Sequence, residues 1–77
     1  MIACMEHQLD VQGLACPLPV LKAKKRLKEL ASGDTLVVLA TDPSAVKDFD
    51  AFCELTGHAL VASDAEGGIF RFTIRKA

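Results

Sequence analysis

The pattern of hydrophobic and polar positions predicts four strands along the chain. Over residues 7–13, Leu9 and Val11 share one side and polar residues the other, which predicts a short strand. TLVVLA (35–40) is almost continuously apolar, so it predicts a strand covered on at least one face. ALVAS (59–63) and IFRFTIR (69–75) predict two further strands, joined through a hairpin loop in DAEGG (64–68).

A first helix is predicted between the first two strands. Pro17 and Pro19 stand where it would begin, and proline is tolerated there because first-turn N–H groups lack intrahelical partners. The segment ends near Gly33, which can adopt the left-handed conformation that closes helices. Its apolar stripe has helical spacing and consists of Val20, Ala23, Leu27 and Leu30.

A second helix is predicted between Asp42 and Gly57. Asp42 is a candidate N-cap, Pro43 suits the first turn, and Gly57 suits the C-terminal end. The apolar stripe of this segment consists of Ala45, Phe49, Phe52 and Thr56, with Val46 and Cys53 beside it.

The resulting order, β-α-β-α-β-β, predicts an α+β two-layer sandwich: a four-stranded mixed sheet with two helices on one face. In the last strand Phe70, Phe72 and Ile74 face one side, and polar residues face the other. One face of the sheet is therefore expected to be packed and the other partly wet. The 77 residues are expected to form a single domain (1–77) that includes a flexible N-terminal extension, residues 1–6.

Charge is unevenly distributed, although the net charge is only −1. Residues 17–30 contain five basic residues and one acidic residue. This predicts a docking surface for an acidic partner, carried by Lys22, Lys25 and Arg26, while a merely solvated helix face remains the alternative. No apolar run approaches the roughly 18 residues of a membrane span, and no secretory signal is recognisable, so a cytoplasmic location is expected.

The candidate chemistry lies at Cys16. Three cysteines are an odd count, which favours free thiols over a disulfide framework. Cys16 directly precedes the predicted first helix, whose N-terminus is expected to stabilise a thiolate and lower the thiol pKa. Pro17 and Pro19 would hold it outside the helix and towards solvent. A cysteine that merely precedes a proline-started helix is the alternative interpretation.

No second catalytic group, metal site or cofactor is predicted. His7 and His58 are interpreted as surface residues rather than as bases. The cysteines lack C-x-x-C spacing, which disfavours zinc. Cys53 is interpreted as a packing residue and Cys4 as a free thiol near the terminus.

The segment LDVQGLACPLPVLKAKKRL resembles the signature of the TusA/SirA-like sulfur-carrier family, an LD…G…CPxP pattern. The similarity spans about residues 8–76. It implies that Cys16 carries sulfane sulfur as a persulfide, and that Asp10, Gly13, Pro17 and Pro19 are the supporting motif positions. Such a protein relays sulfur stoichiometrically and is not a self-sufficient enzyme.

The resemblance also implies partners. A cysteine desulfurase or a rhodanese-like protein would donate sulfur, and a DsrE-like or tRNA-thiolation protein would accept it, in 2-thiouridine synthesis or sulfur oxidation. Ala15 and Leu18 depart from the best-known tRNA-thiolation member, so partner choice stays open. Direct nucleic-acid binding is not expected, since there is no aromatic stacking platform. A monomer is expected, because a carrier must present one sulfur to several partners. The alternative function is a regulatory or interaction module with an incidental cysteine.

Overall fold

The computed structural model describes residues 5–77 and contains the six predicted elements in the predicted order. The strands are β1 (Glu6–Asp10), β2 (Thr35–Ala40), β3 (Ala59–Glu66) and β4 (Ile69–Arg75). The helices are α1 (Leu18–Lys28) and α2 (Ala45–Thr56).

The four strands form one mixed sheet in the order β1-β2-β4-β3. β1 pairs with β2 in parallel, whereas β4 is antiparallel to both β2 and β3. Because parallel strands require a crossover connection, α1 crosses from the end of β1 to the start of β2. The carboxyl ends of β1 and β2 therefore meet at one edge of the sheet, where the connections into α1 and α2 begin.

Both helices pack on one face of this sheet, which confirms the predicted two-layer sandwich. The centre of the core is aromatic: the ring of Phe49 in α2 stacks on Phe72 in β4, with centroids 4.7 Å apart. Phe52 meets Phe49 edge-on at 6.5 Å. On the opposite face of β4, Arg71 and Arg75 are exposed, so that face is partly wet as predicted.

The ends of several elements differ from the prediction. α1 ends at Lys28, and Gly33 (φ +90°) lies in the turn before β2 rather than closing the helix. β3 continues to Glu66, so the expected five-residue loop shrinks to the Gly67–Gly68 turn. Both glycines have positive φ, as a type I′ turn requires, and this tight turn lets the strands pair almost to their tips.

The N-terminal boundary also differs. Residues 1–4 of the expected extension, including Cys4, lie outside the described residues. Met5 donates its N–H to Asp34 and its carbonyl accepts the N–H of Thr35, so it is joined to the edge of the sheet. Glu6 already belongs to β1, because parallel pairing with β2 extends that far.

Within residues 5–77, α1 and α2 have 11 and 12 residues, and neither is long and apolar enough to cross a membrane.

Replacing the central aromatic ring tests this core. We expect Phe49→Ala to lower the free energy of unfolding by about 3–5 kcal/mol, because a fully buried ring is replaced by a cavity. Leu55→Ala on the same helix is the control, since Leu55 is 87% exposed and should change stability by less than about 0.5 kcal/mol. Urea denaturation measures both values, and equal effects would contradict the assigned core.

Candidate functional site

Cys16 lies in the connection between β1 and α1, at the carboxyl edge of the parallel strand pair, and is exposed. Cys53, the other cysteine among residues 5–77, is buried in the core, as its position beside the apolar stripe predicted. The two described cysteines therefore differ in access: Cys16 can meet another protein, whereas Cys53 cannot without unfolding.

The chain reaches Cys16 through a tight turn after β1. Asp10 ends the strand, and its Oδ1 accepts the N–H of Gln12 at 3.0 Å. The Leu14 N–H then bonds the Val11 carbonyl at 3.3 Å. Gly13 sits at the third position of this turn with φ +81°, a conformation that residues with a Cβ rarely adopt. Asp10 and Gly13 thus shape the turn that delivers Cys16.

The segment from the end of β1 to Cys16 is hydrogen-bonded to the end of β2 and to the segment that follows it. Three of its N–H groups donate across this edge, although the partners lie 26 to 28 residues away in sequence. These bonds join Val11 to the Leu39 carbonyl (2.8 Å), Gly13 to Thr41 Oγ1 (2.8 Å) and Cys16 to Asp42 Oδ2 (2.6 Å).

Asp42 also organises the start of α2. Its Oδ1 accepts the Ser44 N–H at 3.0 Å, while its main-chain carbonyl accepts the Ala45 N–H. Hydrogen bonds from Ser44 and then Cys16 lower the pKa of the Asp42 carboxyl below its usual value, because both donors favour the charged form. The N-cap of α2 is Ser44 and not the predicted Asp42. Asp42 lies three residues before the helix and holds both the turn that leads into it and Cys16.

The two prolines leave few helix donors near the sulfur. Helix α1 begins at Leu18, with Pro17 as the preceding residue and Pro19 buried in the first turn. The Leu18 N–H is already bonded to the Ala15 carbonyl at 2.9 Å, and the Leu21 N–H to the Pro17 carbonyl at 3.1 Å. Cys16 thus lies two residues before the helix, further from its N-terminus than the sequence predicted.

The predicted lowering of the Cys16 pKa is wrong. The pKa of this thiol is raised, chiefly by a hydrogen bond to the Asp48 side chain, then by partial desolvation, and finally by the charges of Asp48 and Asp42. Folding places Asp48, in the first turn of α2, and Asp42, in the connection before α2, near the thiol, and these two carboxylates disfavour a third negative charge. At neutral pH the resting side chain is therefore the protonated thiol.

Two shallow depressions flank Cys16, and both are lined by Cys16 and Asp48. One, of about 260 Å³, is mainly apolar and is completed by Pro17, Val20, Ala51, Phe52 and Leu55. The other is completed by Pro43, Ser44, Val46 and Lys47. A group of exposed apolar side chains is typical of a protein-contact surface.

The predicted docking residues lie on α1 but line neither depression. Lys22 and Lys25 are exposed and Arg26 is half-buried. Lys25 and Arg26 occupy the last turn of α1, where positive charge also stabilises the helix dipole. The basic side chain that does line a depression beside Cys16 is Lys47.

The histidines lie away from the thiol. His7 Nε2 is 3.6 Å from Asp34 Oδ2 near the amino end of β1, and His58 Nδ1 accepts the Ala77 N–H. Among residues 5–77, no group of three or more His, Cys, Asp or Glu side chains could hold a metal ion.

The sequence did not predict the contacts of Thr41, Asp42 and Asp48 with the loop that carries Cys16. Asp42 was predicted only as an N-cap, whereas its two carboxylate oxygens accept separate donors, Ser44 and Cys16. For Asp48 there was no local signal, because its contact with Cys16 depends on how α2 packs beside the loop.

Removing the Asp48 carboxylate tests the origin of the raised thiol pKa. We expect Asp48→Asn to lower the Cys16 pKa and to speed alkylation of Cys16 by iodoacetamide at pH 7, because more thiolate is present. Asp50→Asn removes a charge from the same helix, at a residue that does not act on Cys16, and should leave its pH profile unchanged. Alkylation rates between pH 6 and about 10.5 measure both, and an unchanged profile in Asp48→Asn would refute the assignment.

Comparison with known proteins identifies the family of the chain. The sulfurtransferase TusA family matches residues 7–76. The sulfur carrier protein TusA of Allochromatium vinosum is 53% identical over 76 residues, covering 99% of this chain and 100% of the relative. A putative sulfur carrier protein of Neisseria meningitidis is 51% identical over 67 residues, covering 87% of this chain and 90% of its own. The crystal structure of a SirA-like protein from Desulfitobacterium hafniense superposes with a TM-score of 0.80 at 28% identity, covering 90% of this chain and 95% of that one. The chain belongs to the TusA sulfurtransferase family, which confirms the resemblance found in its CPxP segment.

Proposed function

We propose that this chain is a sulfur carrier that holds sulfane sulfur as a persulfide on Cys16. The observation that carries the proposal is the exposed Cys16 thiol within the CPxP segment, at the edge where β1 and β2 end. Similarity to sulfur carrier proteins over nearly the whole chain supports the same role. The motif positions Asp10, Gly13, Pro17 and Pro19 then serve to present the thiol.

The proposed loading step is an exchange between a donor persulfide and the Cys16 thiol. Cys16 loses its proton to solvent, and the thiolate attacks the outer sulfur of the donor persulfide. A new S–S bond forms at Cys16 while the donor's S–S bond breaks, and the released donor thiolate takes up a proton. One persulfide and one thiol are exchanged, so no oxidant or reductant is consumed.

The protonated resting thiol suits a carrier. Because the thiolate is the nucleophile, an unloaded Cys16 with a raised pKa reacts slowly with unrelated electrophiles. A persulfide is more acidic than a thiol, so the loaded form is more readily anionic and transferable. A docked donor or acceptor would supply the remaining groups, and Cys16 would then need no base of its own.

We place the relay in the cytoplasm, between a cysteine desulfurase or rhodanese-like donor and a DsrE-like or tRNA-thiolation acceptor. The mainly apolar depression beside Cys16 would contact these partners directly. The basic face of α1, with Lys22, Lys25 and Arg26, would attract acidic surfaces around their active sites.

Sulfur loading tests the proposed carrier residue. After incubation with a cysteine desulfurase and cysteine, or with a rhodanese and thiosulfate, mass spectrometry should show one added sulfur on Cys16. Cys16→Ser should abolish the addition, whereas Cys53→Ala should retain it because Cys53 is buried. Sulfur found on Cys53 or Cys4, or absent from the wild type with both donors, would exclude a carrier role for Cys16.

Charge reversal tests the docking surface. We expect Lys22→Glu combined with Lys25→Glu to slow loading by the desulfurase severalfold at low salt, with the difference shrinking as salt screens the attraction. Arg71→Glu combined with Arg75→Glu is the matched control, because these residues lie on the face of the sheet that points away from the helices. Equal slowing by both pairs would assign the effect to net charge rather than to α1.

A further inference from the structure

A single carboxylate connects the Cys16 loop to the start of α2. Asp42 Oδ2 accepts the N–H of Cys16 at 2.6 Å, and Asp42 Oδ1 accepts the N–H of Ser44 at 3.0 Å. Hydrogen bonds to an ionised carboxylate are shorter and about twice as strong as those between neutral groups. The bond to Cys16 is therefore a strong link made by the main chain of the proposed carrier residue itself.

This link matters because it holds the main chain of Cys16, whereas the hydrogen bond to Asp48 involves only the exposed thiol. The side chain of Cys16 is exposed, and Pro17, the next residue, is exposed as well. Pro19 is the first residue after Cys16 that is buried. Preceding residues are tied by Gly13 to Thr41 and by Val11 to Leu39, so Asp42 supplies the last of three bonds that run along the loop towards the thiol.

We propose that Asp42 is a positioning residue for sulfur transfer, whose carboxylate fixes the main chain of Cys16 so that the sulfur faces the two flanking depressions. The inference rests on the proposed carrier role of Cys16. A donor persulfide must approach the Cys16 sulfur along one line, and a displacement of about 1 Å at a reacting atom can slow a reaction 100-fold. The rate of transfer from a docked partner depends on the orientation of the Cys16 sulfur, whereas the rate with a small reagent that approaches from any direction does not.

The Asp42 charge gives this role a distinct signature. Asp42 also disfavours the Cys16 thiolate, so its removal makes the thiol intrinsically more reactive while it loosens the loop. Reactivity towards a protein donor should therefore fall, while reactivity towards a small alkylating reagent is kept or rises. A general loss of structure would also expose Cys53 to alkylation, whereas a loss of positioning alone leaves Cys53 buried and unmodified.

The experiment compares Asp42→Asn with Asp34→Asn in the full chain. Asp34 is a matched control, since its carboxylate also accepts two main-chain N–H groups, those of Met5 and Ala31, at the opposite end of β1 and β2. For Asp42→Asn we expect loading by a cysteine desulfurase and cysteine to be about 10-fold to 100-fold slower, with iodoacetamide alkylation of Cys16 as fast as in the wild type or faster. For Asp34→Asn we expect both rates to stay within about twofold, as for a substitution distant from the site.

A measurement on the wild-type protein keeps the inference testable if Asp42→Asn fails to fold. The amide proton signals of Cys16 and Ser44 should titrate together, with one midpoint below the ordinary aspartate value of 3.8, because both donate to the same carboxylate. Independent midpoints, or no titration at Cys16, would overturn the positioning role.

The remaining outcomes are also decisive. Wild-type loading of Asp42→Asn, parallel loss of loading and alkylation, or equal slowing by Asp34→Asn would each refute positioning by Asp42. Failure of the wild type itself to load sulfur on Cys16 would refute the carrier function instead, and the amide titration would still report whether Asp42 holds the loop.

Discussion

The parallel pairing of β1 with β2 is the constraint on which the site depends. It places the carboxyl ends of both strands at one edge of the sheet, so that the loop carrying Cys16 lies beside the corner that leads into α2. The three hydrogen bonds from Val11, Gly13 and Cys16 to residues 39–42 follow from this juxtaposition. An antiparallel β1 would bring a different end of the strand to Asp42, and the loop would lose all three partners.

The electrostatics of the site arise from the same packing. A cysteine near a helix N-terminus ordinarily has a lowered thiol pKa. Here Pro17 and Pro19 have no N–H to donate, and the N–H of Leu18 is already bonded to the Ala15 carbonyl. Asp48 in α2 and Asp42 in the connection before it contribute negative charge, and together they keep the thiol protonated. A carrier benefits from this balance, because its sulfur should react within a docked complex rather than with any electrophile in solution.

Most of the fold was predictable because its signals are local. The continuous apolar run of β2, the alternation in β4 and the apolar stripes of α1 and α2 each reflect burial on one face, and all six elements occur in the predicted order. The errors concern element ends, where tertiary pairing competes with local preference. β3, for example, extends through Asp64 to Glu66 because β4 pairs with it up to the Gly67–Gly68 turn.

The site was predictable only in part. The sequence by itself indicated Cys16 as the candidate residue, its exposure and the family of the chain, because a cysteine followed by two spaced prolines is a local pattern. The protonation state of that cysteine and the residues that hold it were decided by the tertiary structure. Asp42 and Asp48 are 26 and 32 positions from Cys16 along the chain, and electrostatic energy depends on distance in space, which is defined only once α2 has packed beside the loop.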